Sequence, residues 1–175
     1  MSCLRNGSLW TCQAIGLSGT NGTFTGDKTG AAVDRSGAQW IKLSVDATGG
    51  ALVYADHGRF YDPAPTNALY YSFPSLMVNC AGDMMLGCSG SGTNDFIGAY
   101  YAWRLSNGAT MTKPLLLRAG SGNYGQDRWG DYSATTLDPA DDLSFWTVQE
   151  VAVLDPNLLN PLDWLTTIAN LRPHP

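Results

Sequence analysis

From Leu143 to Val151 bulky and polar residues alternate, with Phe145, Thr147 and Gln149 on one face and Trp146, Val148 and Glu150 on the other. That two-residue period is the signature of a β-strand. The run is entered from Ser133–Leu137, which is small and β-branched, through Asp138-Pro139-Ala140-Asp141-Asp142. Proline presets φ in such a loop, and aspartate side chains accept hydrogen bonds from its backbone. The stretch therefore reads as strand, turn, strand, with Asp131, Asp138, Asp141 and Asp142 gathered near one edge.

The rest of the chain repeats this grammar. Asn6-Gly7 is a hairpin turn leading into Ser8–Ile15. Gly16–Gly30 reads as a long loop, Ala38–Val45 and Ala51–Ala55 as strands, and Gly58–Leu69 as a second loop stiffened by Asp62-Pro63-Ala64-Pro65. Tyr70–Pro74 opens a new unit. Strands are then expected at Ser75–Asn79, Met84–Ser89, Ala99–Leu105 and Pro114–Arg118, and Asp155–Pro161 is a connection. No segment carries a capped 3.6-residue period. Asp163–Leu171 could be a helix, but its Thr-Thr-Ile centre favours a strand.

The hairpins form a weak repeat. Asn6-Gly7 leading to Leu9-Trp10, Ala81-Gly82-Asp83 leading to Met84-Met85-Leu86 and Ala140-Asp141-Asp142 leading to Phe145-Trp146 resemble one another. Ser75 and Ser133 each open the strand before such a turn. A hairpin that gains one or two outer strands is the build of a propeller blade. The expected fold is all-β and propeller-like, a single domain of about three four-stranded blades at roughly residues 1–69, 70–119 and 120–175. Three blades do not close a ring, so the expectation is assembly with further copies or further blades.

Composition sets the setting. Charged residues are 14% of the 175 and the chain contains 20 glycines, which fits an all-β extracellular protein better than a cytosolic helical one. A net charge of −5 without a basic stripe excludes a nucleic-acid partner, and no apolar run is long enough to span a membrane. Met1-Ser2-Cys3-Leu4-Arg5 enters strand-like sequence without the apolar stretch of a secretion signal. Either the protein is not exported in this form or the natural chain begins further upstream, and the second is the expectation. Cys3 and Cys12 flank one hairpin turn and Cys80 and Cys88 another, so each pair is a candidate disulfide, against the alternative of four small buried thiols. With no C-x-x-C pair and only two histidines, a structural zinc site is not expected.

The stretch Arg128-Trp129-Gly130-Asp131-Tyr132-Ser133-Ala134-Thr135-Thr136-Leu137-Asp138-Pro139, with Phe145-Trp146-Thr147-Val148-Gln149-Glu150, resembles a motif in the last blades of secreted bacterial β-propeller proteins. These are distantly similar to the sialidase and BNR-repeat superfamily. Asn6-Gly7-Ser8-Leu9-Trp10 and Tyr71-Ser72-Phe73-Pro74-Ser75 resemble the blade starts of that group. The resemblance implies the fold and an extracellular setting. Where the group has a tyrosine after the motif's glutamate and a Trp-Gly-Thr-Trp ending, this chain has Val151 and Asp163-Trp164-Leu165-Thr166, which implies a modified terminal blade.

Three kinds of site can be drawn from these residues. Glycan binding needs aromatic faces for sugar C–H groups beside polar loops. Tyr124, Arg128, Trp129, Asp131 and Tyr132 are the candidates, with Tyr61, Tyr70, Tyr71 and Tyr100 as further rings that could equally fill blade interfaces. A Ca2+ site would draw on Asp138, Asp141 and Asp142, although their spacing matches no known loop and turn capping explains them. A sialidase-like glycosidase would need an acid–base pair from Asp131, Asp138, Asp141, Asp142 and Glu150 and converging arginines from Arg104, Arg118 and Arg128. No Ser-x-Asp-x-Gly-x-x-Trp box is present. The expected function is a non-catalytic binding or structural module that takes a glycan and self-associates, and the glycosidase fragment is the alternative.

Overall fold

The computed structural model describes residues 1–19, 21–24, 33–46, 48–154 and 162–174. Among them there is no helix, and twelve strands form three antiparallel sheets. The first sheet runs β1 (Ser2–Arg5), β2 (Ser8–Ser18), β4 (Arg35–Val45), β5 (Leu52–Phe60), with the two-residue β3 (Thr23–Phe24) paired to the end of β2. The second is β6 (Tyr70–Val78), β7 (Met84–Ser91), β8 (Gly98–Arg104), β9 (Leu115–Arg118). The third is β10 (Ala134–Leu137), β11 (Phe145–Leu154), β12 (Leu162–Leu171). Each is a meander in which sequence neighbours pair, the arrangement of propeller blades. Asp163–Leu171 is strand throughout, as its β-branched centre required.

The sheets pack in chain order, and β6 touches both neighbours. Between the first and second sheets lies an apolar core. Trp10, Cys12, Trp40 and Phe60 meet Tyr71, Leu76, Val78, Met84, Leu86 and Cys88. Each large side chain buried there contributes about 1.5–3 kcal/mol. The rings interlock edge to face, Phe60 on Tyr71 at 4.7 Å and Tyr71 on Tyr100 at 5.4 Å. The Arg104 guanidinium lies 5.1 Å over the Trp40 ring and pairs with Asp56 at 3.2 Å, closing one rim of this core.

The contact between the second and third sheets is instead a polar ladder. Ser75 Oγ lies 2.9 Å from Thr135 Oγ1, which lies 3.2 Å from Thr147 Oγ1. The fully buried Gln149 donates from Nε2 to Thr147 Oγ1 at 2.9 Å and to Ser75 Oγ at 3.1 Å. Ser133 Oγ lies 3.2 Å from Ser75 Oγ, so the serine just before β10 faces one inside β6, a strand that begins at Tyr70 and not at Ser75 as expected. Buried polar groups are tolerated when paired like this and are costly when one partner is removed.

The repeated turns meet at one end. Asn6 Nδ2 donates to Asn79 O at 3.3 Å, and Asn79 Nδ2 donates to Leu143 O at 3.1 Å. Arg5 pairs with Asp142, and Cys80 N donates to Asp142 O at 3.2 Å.

Two expectations are corrected. β2 continues through Gly16 to Ser18 and β5 to Phe60, so the two loops read from glycine content begin later than expected. Neither disulfide forms and all four cysteines are free. Cys3 sits opposite Trp10 while Cys12 sits opposite Trp40, and Cys88 pairs with Tyr100 mid-strand while Cys80 is exposed beyond the end of β6. The last sheet has three strands, as expected of a terminal blade short of its outermost strand. The connection expected at Asp155–Pro161, and most of the loop after Ser18, lie outside the described residues. No helix among the described residues is long and apolar enough to cross a membrane.

Candidate functional site

On β11 the residues facing the second sheet are Phe145, Thr147, Gln149, Val151 and Val153, all buried. Its other side, with Trp146, Val148, Glu150 and Ala152, faces away from that sheet. The segment before β10 folds back over the Glu150 end of this outer face. Gly130 N donates to Glu150 Oε2 at 2.7 Å. The close approach needs the positive φ of Gly130, +93°. It also needs the missing Cβ, which would stand 2.1 Å from a Phe73 ring carbon.

This fold-back forms a pocket of about 160 Å3 lined by Tyr124, Trp129, Tyr132 and Trp164 with Arg128, Asp131 and Glu150. All five residues picked from the sequence as ligand-binding candidates are in it. Tyr132 and Trp164 are stacked at 5.0 Å and 17°, and Tyr124 meets Trp129 edge to face at 4.8 Å. Trp129 Nε1 donates to Ser89 Oγ at 3.0 Å, tying the wall to β7. Arg128 and Asp131 pair at 2.7 Å at the open rim, where both are largely solvent-exposed.

Glu150 is only 4% exposed, and its single hydrogen bond to a described residue uses Oε2. Its second oxygen is left for whatever enters. The chemistry on offer is aromatic surface on the walls, a hydrogen-bond acceptor at the base and a charged pair at the mouth. Trp164 and Gly130 were not among the candidates read from sequence. Trp164 gave one signal, an aromatic at a strand position with a polar flank. Gly130 gave none beyond being a glycine in the motif.

The other candidates fall elsewhere. Tyr71 and Tyr100 are buried in the core. Tyr70 lines a separate pocket with Arg35, and Tyr61 one with Arg59. Of the three aspartates proposed for Ca2+, Asp138 and Asp141 are occupied as turn caps and Asp142 by an ion pair. Asp138 accepts from Ala140 N at 2.9 Å and from Trp146 Nε1 and Asn170 Nδ2 at 3.0 Å. Asp141 accepts from Leu143 N, Ser144 N and Ser144 Oγ at 2.7–2.9 Å, which holds its carboxyl down at about 2, and Asp142 pairs with Arg5. Among the described residues no three His, Cys, Asp or Glu side chains are grouped to hold a metal ion. Arg104 is committed to Asp56 and Trp40, away from the Arg128 pocket.

No protein-family model matches the chain, and none of the curated proteins matches it in sequence.

Proposed function

We propose that the chain is a non-catalytic saccharide-binding module of an extracellular propeller-like protein, and that the pocket over Glu150 is its ligand site. One observation carries the reading. A buried carboxylate with a free oxygen lies beside an exposed aromatic ring. Trp164 covers one face of the Tyr132 ring, and the residue as a whole is 53% exposed, which leaves its other side to a ligand. An aromatic face takes sugar C–H groups and a carboxylate oxygen takes hydroxyls. The volume is below the roughly 300 Å3 of sites that enclose drug-sized molecules, which suits one sugar ring. The low charge and high glycine content support the extracellular setting. The test is a glycan array followed by calorimetry with the best hit. Tyr132→Ala, at an exposed position, is expected to weaken binding about tenfold or more with the melting temperature unchanged. Unaltered binding would remove the pocket from consideration.

Self-assembly is a second reading with its own support. Leu4, Leu9, Leu43 and Tyr54 are cross-strand neighbours in a row over the face of the first sheet that turns away from the core, and Leu4 and Tyr54 are 70% and 59% exposed. Ala134, Val148 and Ile168 make a similar row over the outer face of the third sheet, where Ile168 is 63% exposed. Blade faces of this kind are covered in closed propellers. Light scattering over a concentration series tests it. A particle of 18.7 kDa at every concentration would exclude self-assembly.

A further inference from the structure

The pocket over Glu150 has a neighbour that shares one of its walls. Tyr124 also lines a second pocket, of about 350 Å3, formed by residues 91–97 and 122–124. Its polar side chains include Thr93, Asn94, Asp95 and Asn123, all exposed. None of these side chains makes a hydrogen bond to another described residue. The turn that carries Thr93, Asn94 and Asp95 is nonetheless fixed, because Gly92 N donates to Asp95 O at 3.1 Å and Asp95 N to Gly92 O at 3.3 Å.

Both pockets are keyed to one strand. Past the end of β10 the edge of β11 is taken by the two loops of the second pocket. Ala152 N donates to Ile97 O at 2.9 Å, Ser121 N donates to Ala152 O at 2.9 Å, and Leu154 N donates to Ser121 Oγ at 3.2 Å. Glu150 of the first pocket and Ala152, whose backbone anchors the loops of the second, are two residues apart, about 7 Å along a strand. That is the scale of one pyranose ring and its linkage. Sites held on strands keep their spacing better than sites on free loops.

Charge narrows the ligand further. The two pockets together are lined by the carboxylates of Asp95, Asp131 and Glu150 and by one cation, Arg128, which is already paired with Asp131. The field over the two pockets is negative, which disfavours sialic or uronic acids.

We infer that the two pockets bind a linear, neutral oligosaccharide across two subsites: one ring over Glu150 between Tyr132 and Tyr124, and the next over Asn94, Asp95 and Asn123, with Tyr124 the wall they share. This rests on the saccharide reading of the first pocket, and the experiment separates the two. Calorimetry is run with the mono-, di- and trisaccharide of one neutral series and with a uronic-acid disaccharide, on the wild type and on Asp95→Ala, Asn123→Ala and Tyr132→Ala. The expected result is at least a tenfold gain from mono- to disaccharide in the wild type. Asp95→Ala and Asn123→Ala should remove that gain and leave the monosaccharide affinity as it was. The uronic-acid disaccharide should bind more weakly than the neutral one. Equal affinity at all lengths, or a gain that survives both loop substitutions, would overturn the second subsite while the first stands. No binding at any length would overturn the saccharide reading itself. Preferred binding of the acidic disaccharide would overturn the charge argument. Because Asp95 and Asn123 are exposed, their variants are expected to melt with the wild type, so a loss confined to the longer ligands is a loss of contact.

Discussion

The side-chain amide of Asn79 donates to the backbone oxygen of Leu143 at 3.1 Å, and this bond links the turn of the second sheet to the turn of the third. The same residue accepts from Asp83 N on Oδ1 at 2.8 Å and from Asn6 Nδ2 on its backbone oxygen at 3.3 Å. One residue, 1% exposed, therefore holds its own turn and touches the equivalent turns of both neighbours. Asn79→Ala keeps the backbone contact with Asn6 and removes the side-chain bonds, a third of which runs from Nδ2 to Asp83 Oδ2 at 3.2 Å, leaving Asp83 N and Leu143 O without these partners. A loss of about 1–3 kcal/mol is expected for each buried group left unpaired. Urea unfolding checks this, and a change below about 0.5 kcal/mol would mean that water replaces the amide.

Between the second and third sheets the fit is set by Gly87. A Cβ at that position would stand 2.3 Å from Gln149 Nε2 and 2.5 Å from Thr147 Oγ1. Gln149 is fully buried and bonded on both ends, so it has nowhere to go. Gly87→Ala is expected to destabilise by about 1–3 kcal/mol through overpacking. Gln149→Ala removes the nearer of the two clashing atoms, so it should cost less in the Gly87→Ala background than in the wild type. Thermal melts of the single and double variants measure both effects.

Much of this was legible beforehand, and for identifiable reasons. The alternation at Phe145–Glu150 gave the correct inner and outer faces because a strand's period is strict and one face is buried. The Asp138–Asp142 turn was legible because short acidic side chains cap their own loop. The pocket's five candidates came together because they lie within nine residues of sequence, from Tyr124 to Tyr132, so local folding suffices to gather them. Glu150 and Trp164 complete the site through register. Ala152 pairs with Trp164 across β11 and β12, and no local pattern reports that pairing. The disulfide expectation failed for the same reason, since flanking a turn does not place two cysteines opposite one another.

Acid should weaken the fold through Asp141. Hydrogen bonds from Ser144 N, Leu143 N and the Ser144 hydroxyl hold its carboxyl down at about 2, from the ordinary 3.8. A carboxyl whose pKa is depressed by folding stabilises the protein above its unfolded pKa and loses that contribution as the pH falls through the folded one. The melting temperature is therefore expected to fall from about pH 4 to about pH 2. In Asp141→Asn this part of the acid slope should be missing. Parallel curves for the two proteins would remove Asp141 as a source of it.

Thiol chemistry should distinguish one cysteine from three. Burial raises the thiol of Cys3, pushes Cys12 up to about 11, and raises Cys88, in the core, well above the ordinary thiol value. Cys80 is exposed in its turn. Reaction depends on thiolate and on access, so a colorimetric thiol reagent on the folded protein should titrate about one fast equivalent. Cys80→Ser should abolish it. Four equivalents are expected only after denaturation. Fewer than four under denaturing, non-reducing conditions would reveal a bridge.

The site depends on a glycine as much as on its carboxylate. Gly130 N–H holds Glu150 at 2.7 Å only because the backbone adopts φ +93° and carries no Cβ, which would stand 2.1 Å from a Phe73 ring carbon. Gly130→Ala has two separable costs. The first is backbone strain of about 1–3 kcal/mol at a φ that side chains rarely adopt. The second is the collision with the Phe73 ring, which itself sits at a positive φ of 52°. Phe73→Ala combined with Gly130→Ala removes the collision and leaves the strain. The double variant should therefore regain part of the lost melting temperature. Its N–H remains displaced from Glu150, so saccharide affinity should stay at least tenfold below that of Phe73→Ala alone. Recovery of both properties together would mean that crowding alone sets Gly130, and that the hydrogen bond to Glu150 does not shape the pocket.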